Sequence, residues 1–183
     1  MATIPGHISD EVVIVGNHRD AWVLGGSDPN AGTAAQYELV RGLGKLLAKG
    51  WKPLRTIVLA SWDAEEYGLI GSTEWTEDFG AWLKKDVVAY LNLDSATSGS
   101  HFNGAASPSL AWLVRQAASE INTDRDATVS MWDTKEVKDL DAEVEESEDI
   151  EEFVVENAGT GIRPLGSGSD FTSFLQRYGV SLL

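Results

Sequence analysis

Three apolar runs in this chain end in groups that can hold metal or move protons. His18 and Asp20 close "EVVIVGNHRD" (11–20), Glu65 and Glu66 follow "TIVLASWD" (56–63), and Asp94 closes "VVAYLNLD" (87–94). A fourth group, Asp28, sits in the glycine-rich turn "GGSDPNAG". All are hard or borderline donors, and together they make a His/Asp/Asp/Glu set suited to zinc without sulfur. The chain has no cysteine, which removes disulfides, thiolate zinc sites and a cysteine nucleophile together. Glu65 and Glu66 are like charges side by side and should repel; a dication reverses that, because a carboxylate beside it is stabilised in its ionised form. Taken singly, each residue has an ordinary reading. His18 could be a satisfied or surface histidine, Asp28 a turn residue in Asp-Pro-Asn-Ala-Gly, Asp94 a turn cap, and the glutamates exposed loop residues. Four such clusters at one edge of one sheet carry the metal reading.

The elements that must position them follow from periodicity. The three runs are short, rich in β-branched residues and bounded by polar groups, so they read as buried strands. Residues 33 to 49 place Ala35, Leu39, Leu43, Leu46 and Leu47 on one helical face, with Gly50 as C-terminal cap. A second helix is expected from near Ser72, carrying Trp75, Phe79 and Trp82. A third starts at Ser107-Pro108 with Leu110, Leu113, Val114, Ala117 and Ile121 inward. A fourth runs from Asp170 through Phe171, Phe174, Leu175 and Tyr178 to Gly179. Alternation of strands and helices predicts an α/β domain with a mostly parallel, mixed central sheet flanked by helices. In such sheets ligands sit at the carboxyl ends of the strands, where the polar clusters lie.

The 183 residues, 43% hydrophobic, suggest one domain. The formal charge of -15 excludes nucleic acid as a partner. That charge is uneven: residues 133–156 hold twelve acidic residues against two lysines, and read as a solvated, mobile acidic insertion. No signal peptide or membrane-spanning stretch is visible, and there is no internal repeat. "MATIPG" reads as a start placed inside a longer protein. "YGVSLL" reads as the opening of another buried strand, so the domain is expected to be C-terminally truncated. A serine hydrolase is disfavoured by the lack of a G-x-S-x-G elbow, and a zincin helix by the lack of H-E-x-x-H.

The stretches "GNHRDAW", "GGSDPNAG", "LASWDAEEYGLIGSTEW", "LNLDS" and "LGSGSDF" resemble, in order and spacing, the peptidase domain of the glutamate carboxypeptidase II-like zinc exopeptidases. That family includes the folate-hydrolase, prostate-specific membrane antigen-like, plant and fungal vacuolar relatives, and the transferrin receptor shares its fold. The resemblance runs from about residue 4 to residue 182. It implies two zinc ions sharing a bridging aspartate and a bridging water. His18 and Asp94 match ligands of one zinc, Asp28 the bridging aspartate and Glu66 the carboxylate ligand of the second. Glu65 matches the general base, and Asp20 an aspartate that orients the His18 imidazole. A cis Asp28–Pro29 peptide is implied as well. Gly168, Ser169 and Asp170 match a glycine-rich turn near the substrate's C-terminal carboxylate, which suits backbone N–H groups at a helix start. An ordinary loop with Asp170 as N-cap is the other reading. Where the family's motif has Asn, this chain has Ser169.

The departures bear on function. The second zinc's histidine lies beyond residue 183 in the family, and neither His7 nor His101 sits where it could replace it. The arginines of the family's glutamate pocket are not recognisable, with Asn103 near the position of one. The expected activity is hydrolysis of a peptide or small peptide-like substrate by a metal-activated water, carboxypeptidase-like, with this chain alone weak or inactive. An aminopeptidase shares the same metal logic, and a receptor-like interaction module of the same fold is the non-catalytic alternative. An exposed sheet edge makes a homodimer a further expectation. The resemblance implies a membrane-anchored extracellular or vacuolar parent.

Overall fold

A computed structural model describes residues 1–97, 99–135 and 160–183. Most of the acidic segment, residues 136–159, lies outside the described residues, and with it the expectation of a mobile insertion over 133–156. The chain divides into two compact units, Met1–Ser98 with Gly166–Leu182, and Gly99–Leu165 with Leu183.

The first unit is built on a five-stranded sheet. Its strands are β1 (Ala2–Ile4), β2 (Ile8–His18), β3 (Arg55–Trp62), β4 (Val87–Asn92) and β5 (Ser181–Leu182). The order across the sheet is β1-β3-β2-β4-β5. β2, β3, β4 and β5 run parallel, and β1 adds an antiparallel edge against β3. The three apolar runs are therefore the three central strands, with carboxyl ends one or two residues before the expected ones and β2 starting three residues earlier. β1 was not anticipated, since three residues carry too little pattern to register. β5 falls where "YGVSLL" suggested a strand, with Leu182 fully buried.

Helix α1 (Asn30–Ala48) begins three residues earlier than its apolar spacing suggested, and Gly50 follows its end with φ +84°. Its predicted apolar face is not buried as expected. Leu39, Leu46 and Leu47 are about two-fifths exposed, and the buried positions are Gly32 and Gln36. The reason is polar anchoring: the Gln36 amide donates to the Val15 carbonyl at 3.2 Å and the Ala60 carbonyl at 2.8 Å. This pins the N-terminal half of the helix to β2 and β3 at once. The expected second helix is two, α2 (Ile70–Asp78) and α3 (Gly80–Asp86), broken at Phe79. Trp75 packs among Trp62, Phe79, Trp82 and Phe174, with ring centroids 4.9–6.1 Å apart. The last helix of this unit, Phe171–Tyr178, ends on Gly179 at φ +68° and buries Phe174 against Tyr90, rings stacked at 4.1 Å. Tyr90 in turn accepts a hydrogen bond from the Trp62 indole at 3.0 Å. Gly16 must be glycine here, because a Cβ would lie 2.2 Å from the Tyr90 hydroxyl.

The second unit carries α4 (Pro108–Glu120), started by Ser107 and Pro108 as expected. It buries Ala111 and Ala118, whereas Leu113 and Ile121 are more than half exposed, contrary to the inward face read from spacing. Its small core joins Ala106, Ala111 and Ile162, with Phe102, Leu110, Val114 and Trp132 against them. Counting α4, the helix Phe171–Tyr178 is α5. No described helix is long and apolar enough to cross a membrane.

Candidate metal centre

The parallel register fixes where the polar groups fall. His18 pairs with Trp62 across β2 and β3, and Gly16 with Asn92 across β2 and β4. The residues just past these pairs therefore emerge together at the carboxyl edge of the sheet. The structure brings four of the anticipated side chains to one point. From His18 Nε2, Asp28 Oδ1 lies at 3.1 Å, Asp94 Oδ1 at 3.3 Å and Glu65 Oε2 at 3.9 Å. His18 is fully buried, and its Nε2 has no partner in hydrogen-bond geometry.

The tautomer follows from the other ring nitrogen. His18 Nδ1 lies 3.1 Å from the Asp20 backbone carbonyl, which can only accept. Nδ1 therefore carries the proton, and in the neutral ring Nε2 presents a lone pair toward three carboxylate oxygens. Without a cation that arrangement is repulsive, and the His18 pKa reflects it. Burial pulls it down, but Asp94, Glu65 and Asp170 outweigh burial, so it is raised. Asp28 is raised by desolvation, then by Asp94 and Glu66. Glu65 is pushed up to about 7, first by burial, with Asp170, Asp94 and Glu66 adding and His18 opposing. An orphaned imidazole nitrogen facing oxygen donors fits a borderline dication such as zinc.

Asp20 does more than sit beside the imidazole. Its carboxylate is 3.5 Å from Nδ1, the longer of its two contacts with the ring. Its Oδ1 accepts the Glu65 N–H at 3.0 Å and its Oδ2 the Glu66 N–H at 3.2 Å. One carboxylate thus ties the end of β2 to the turn that carries both glutamates. That turn is tightly wound. Ala64, Leu69 and Gly68 have φ of 56°, 60° and 113°, and the Glu65 carbonyl accepts from the N–H groups of both Gly68 and Leu69. Two left-handed non-glycine residues in six mark a backbone held by its surroundings.

The donors are not all equally close to one another. His18, Glu65 and Asp94 offer ligand atoms within 4.8 Å of one another. Asp28 and Glu66 are not in that group: Asp28 meets His18 Nε2 at 3.1 Å, and Glu66 acts electrostatically on Asp28 and Glu65. The Asp28–Pro29 peptide is cis, as the motif implied. In the glycine-rich turn, Gly168 is exposed with φ +124°. Ser169 is 5% exposed, and its hydroxyl donates to Asp94 Oδ2 at 2.7 Å. Asp170 occupies the N-cap position of α5, but its side chain makes no capping bond. It is fully buried, and its pKa is pushed up to about 6, chiefly by burial. Ser72 lies near enough to favour its ionised form, but the Ser72 hydroxyl hydrogen-bonds to the Leu69 carbonyl, and neither Asp170 oxygen has a donor in hydrogen-bond geometry.

Three supporting residues escaped the sequence reading. Asn17 donates to the His18 carbonyl and to Thr33 Oγ1, both at 2.8 Å. Gly32 lets the first turn of α1 close on Asp94, since a Cβ there would sit 2.2 Å from the Asp94 carbonyl oxygen. Asn92 donates to Ser169 Oγ at 3.0 Å. Asn17 and Asn92 had a legible signal: an amide at the polar end of a buried strand must find partners. Gly32 had none in the sequence.

Comparison with known proteins agrees with this architecture. The chain is 45% identical over 172 residues to a probable glutamate carboxypeptidase LAMP1 of Arabidopsis thaliana, covering 93% of this chain and 23% of that protein. It is 44% identical to a probable glutamate carboxypeptidase of Arthroderma benhamiae, over 98% of this chain and 22% of the relative. It is 39% identical to the aminopeptidase NAALADL1 of mouse, over 94% and 22%. The chain thus spans less than a quarter of the length of these relatives. Among solved structures, an Acidobacteriales bacterium glutaminyl cyclase superposes with a TM-score of 0.65 at 18% identity, over 99% of this chain and 55% of the other. The model of peptidase family M28 matches residues 1–181. The chain belongs to peptidase family M28, as a glutamate carboxypeptidase II-like metallopeptidase domain.

Proposed function

We propose that this domain holds zinc on His18 and Asp94, with Asp28 as the carboxylate shared with a second ion, and hydrolyses peptide bonds at a chain end. The observation that carries the reading is the buried, unpartnered Nε2 of His18, ringed by three carboxylate oxygens at 3.1–3.9 Å. Zinc, when bound, supplies Lewis acidity that polarises a carbonyl and acidifies a water.

The chain's own residues supply the rest. Glu65 is 11% exposed in its side chain and faces the point where the donors converge. A carboxylate there can take a proton from the attacking water as its oxygen joins the scissile carbonyl carbon. It can then pass that proton to the amine nitrogen as the C–N bond breaks. Asp20 fixes the backbone of Glu65 and Glu66 and, through its carbonyl, the His18 tautomer. Glu66 is proposed as a donor to a second ion shared through Asp28. Among the described residues brought together here the imidazole is that of His18, and His7 is exposed between β1 and β2, so the second ion would rest on carboxylates. About one zinc per chain is the expected stoichiometry.

Carboxypeptidase-like action is the leading reading, from similarity to the probable glutamate carboxypeptidases. Similarity to the NAALADL1 aminopeptidase keeps the second reading, action at the amino end. The deciding experiment measures zinc per chain by elemental analysis for the wild type and for Asp28→Ala, then offers N-blocked and C-blocked peptides. Uptake of zinc that falls in the variant supports the site. Failure of the wild type to take up zinc would sink the metallopeptidase reading and leave the receptor-like module. Cleavage of N-blocked peptides alone marks a carboxypeptidase, and cleavage of C-blocked peptides alone an aminopeptidase.

A further inference from the structure

We infer that Ser169 is a positioning residue for the zinc ligand Asp94, and that Asn92 sets the direction in which its hydroxyl points. The inference rests on the reading of Asp94 as a ligand. Ser169 is 5% exposed, so its hydroxyl must find partners inside the protein. It has two. Asn92 Nδ2 donates to Ser169 Oγ at 3.0 Å, and Ser169 Oγ donates to Asp94 Oδ2 at 2.7 Å.

The chemistry of a hydroxyl makes this pairing directional. Oγ has one proton to give and lone pairs to receive with. An amide N–H₂ cannot accept, so the Asn92 contact uses an Oγ lone pair and leaves the proton for the Asp94 carboxylate. The bond to Asp94 is charge-assisted and short. It occupies Oδ2 and leaves Oδ1, which lies 3.3 Å from His18 Nε2 and takes only a long 3.4 Å bond from the exposed Ser95 hydroxyl, to face the metal position. The relay thus decides which Asp94 oxygen is offered and holds the carboxylate plane. It runs from Asn92 at the end of β4, through the turn before α5, to Asp94 two residues past β4, so it locks the Gly166–Leu182 part of the chain onto the site. Because Ser169 spends its proton on Asp94, its hydroxyl has none left to donate to a substrate carboxylate.

Partners of metal ligands typically contribute 10–100-fold to metal affinity, which sets the expected effect. The test uses zinc alone, in competition with a chromophoric chelator, on wild type, Ser169→Ala, Ser169→Thr, Asn92→Ala, the Ser169→Ala/Asn92→Ala double variant and Asp94→Ala. Folding of each zinc-free protein is checked by circular dichroism and thermal melting. Cobalt(II) absorption reports the ligand geometry. Ser169→Ala should weaken zinc about 10–100-fold and shift the cobalt bands. Ser169→Thr, which keeps the hydroxyl, should restore affinity. Asn92→Ala should weaken binding less than Ser169→Ala, and the double variant should be no weaker than Ser169→Ala alone. If Asp94→Ala loses zinc while Ser169→Ala binds it as tightly as wild type with unshifted cobalt bands, this inference is wrong and the ligand reading stands. If Asp94→Ala itself keeps wild-type affinity, or the wild type takes up no zinc, both readings fall.

Discussion

Gly32 offers a sharp test of how closely the site is built. It lies in the first turn of α1, and a Cβ there would meet the Asp94 carbonyl oxygen at 2.2 Å, Asn17 Oδ1 at 2.6 Å and the Asp94 nitrogen at 2.8 Å. Carbon contacts below 3.0 Å do not occur in real structures, so the Asp94 carbonyl and the helix must part by about 0.8 Å. Neither neighbour yields easily. Two of the three atoms are backbone, and Asn17 is held by its bonds to the His18 carbonyl and Thr33. Overpacking of this kind costs about 1–3 kcal/mol. Replacing glycine by alanine in a helix returns about 0.5–1 kcal/mol. Overpacking wins, and Gly32→Ala should destabilise the zinc-free protein by about 1–2 kcal/mol.

The same movement reaches the metal. Metal–ligand distances tolerate about 0.2 Å, several times less than the forced displacement, so zinc affinity should fall by about tenfold or more. Gly42→Ala and Gly44→Ala supply the control, because they sit in the same helix with nothing within 4 Å of the new Cβ. Each should stabilise by about 0.5–1 kcal/mol and leave zinc binding unchanged. Urea denaturation in excess chelator gives the stabilities, and chelator competition gives the affinities. If Gly32→Ala stabilises as Gly42→Ala does and binds zinc normally, the close approach of α1 to Asp94 is wrong.

Asp20→Asn should keep one acceptor for the Glu65–Glu66 turn but set an N–H₂ against the other amide, costing about 1.5–3 kcal/mol in urea denaturation; a change under about 0.5 kcal/mol would show that the carboxylate does not hold the turn. Glu65→Gln separates base from ligand: retained zinc with lost peptide hydrolysis supports the proton carrier, and lost zinc would make it a ligand, as its place within 4.8 Å of His18 and Asp94 allows. Gln36→Leu leaves the Val15 and Ala60 carbonyls without their shared donor and should cost about 1–3 kcal/mol. Gln36→Glu should cost more, since an ionised carboxylate cannot donate to either carbonyl; equal melting curves for Gln36→Leu and wild type would refute the anchoring role. The loss of zinc affinity expected of Ser169→Ala is a separate expectation from these.

The legible features were those with a period or a punctuation mark. Three strands were readable because β-branched runs end abruptly in polar residues, and α4 because Ser107-Pro108 marks a helix start. Burial faces were less legible. The leucines of α1 have perfect helical spacing, yet Leu46 and Leu47 are about two-fifths exposed while the polar Gln36 is buried. Spacing shows which residues share a face; it does not show which stretch of that face meets the sheet, and here two hydrogen bonds decide it. The site was legible as a set of donors, and the contacts between them were not. Motif order assigned Glu66 to metal and Ser169 to substrate. The structure places Glu65 among the mutually close donors and gives the Ser169 proton to Asp94. Side-chain pairings between residues tens of positions apart leave no local mark in the chain.

The adjacent glutamates show why such pairings matter. Their proximity is an electrostatic cost, and a third carboxylate, Asp20, stands beside them. Yet Asp20 meets their backbones, where N–H dipoles favour negative charge, and so it helps hold the turn against the repulsion of the side chains. With the two amides fixed 3.0 and 3.2 Å from one carboxylate, successive side chains leave the backbone in different directions. Glu65 points toward His18, and Glu66 acts on Asp28. The turn therefore sets the Glu65 carboxylate 3.9 Å from His18 Nε2 while the Glu66 charge is felt by Asp28.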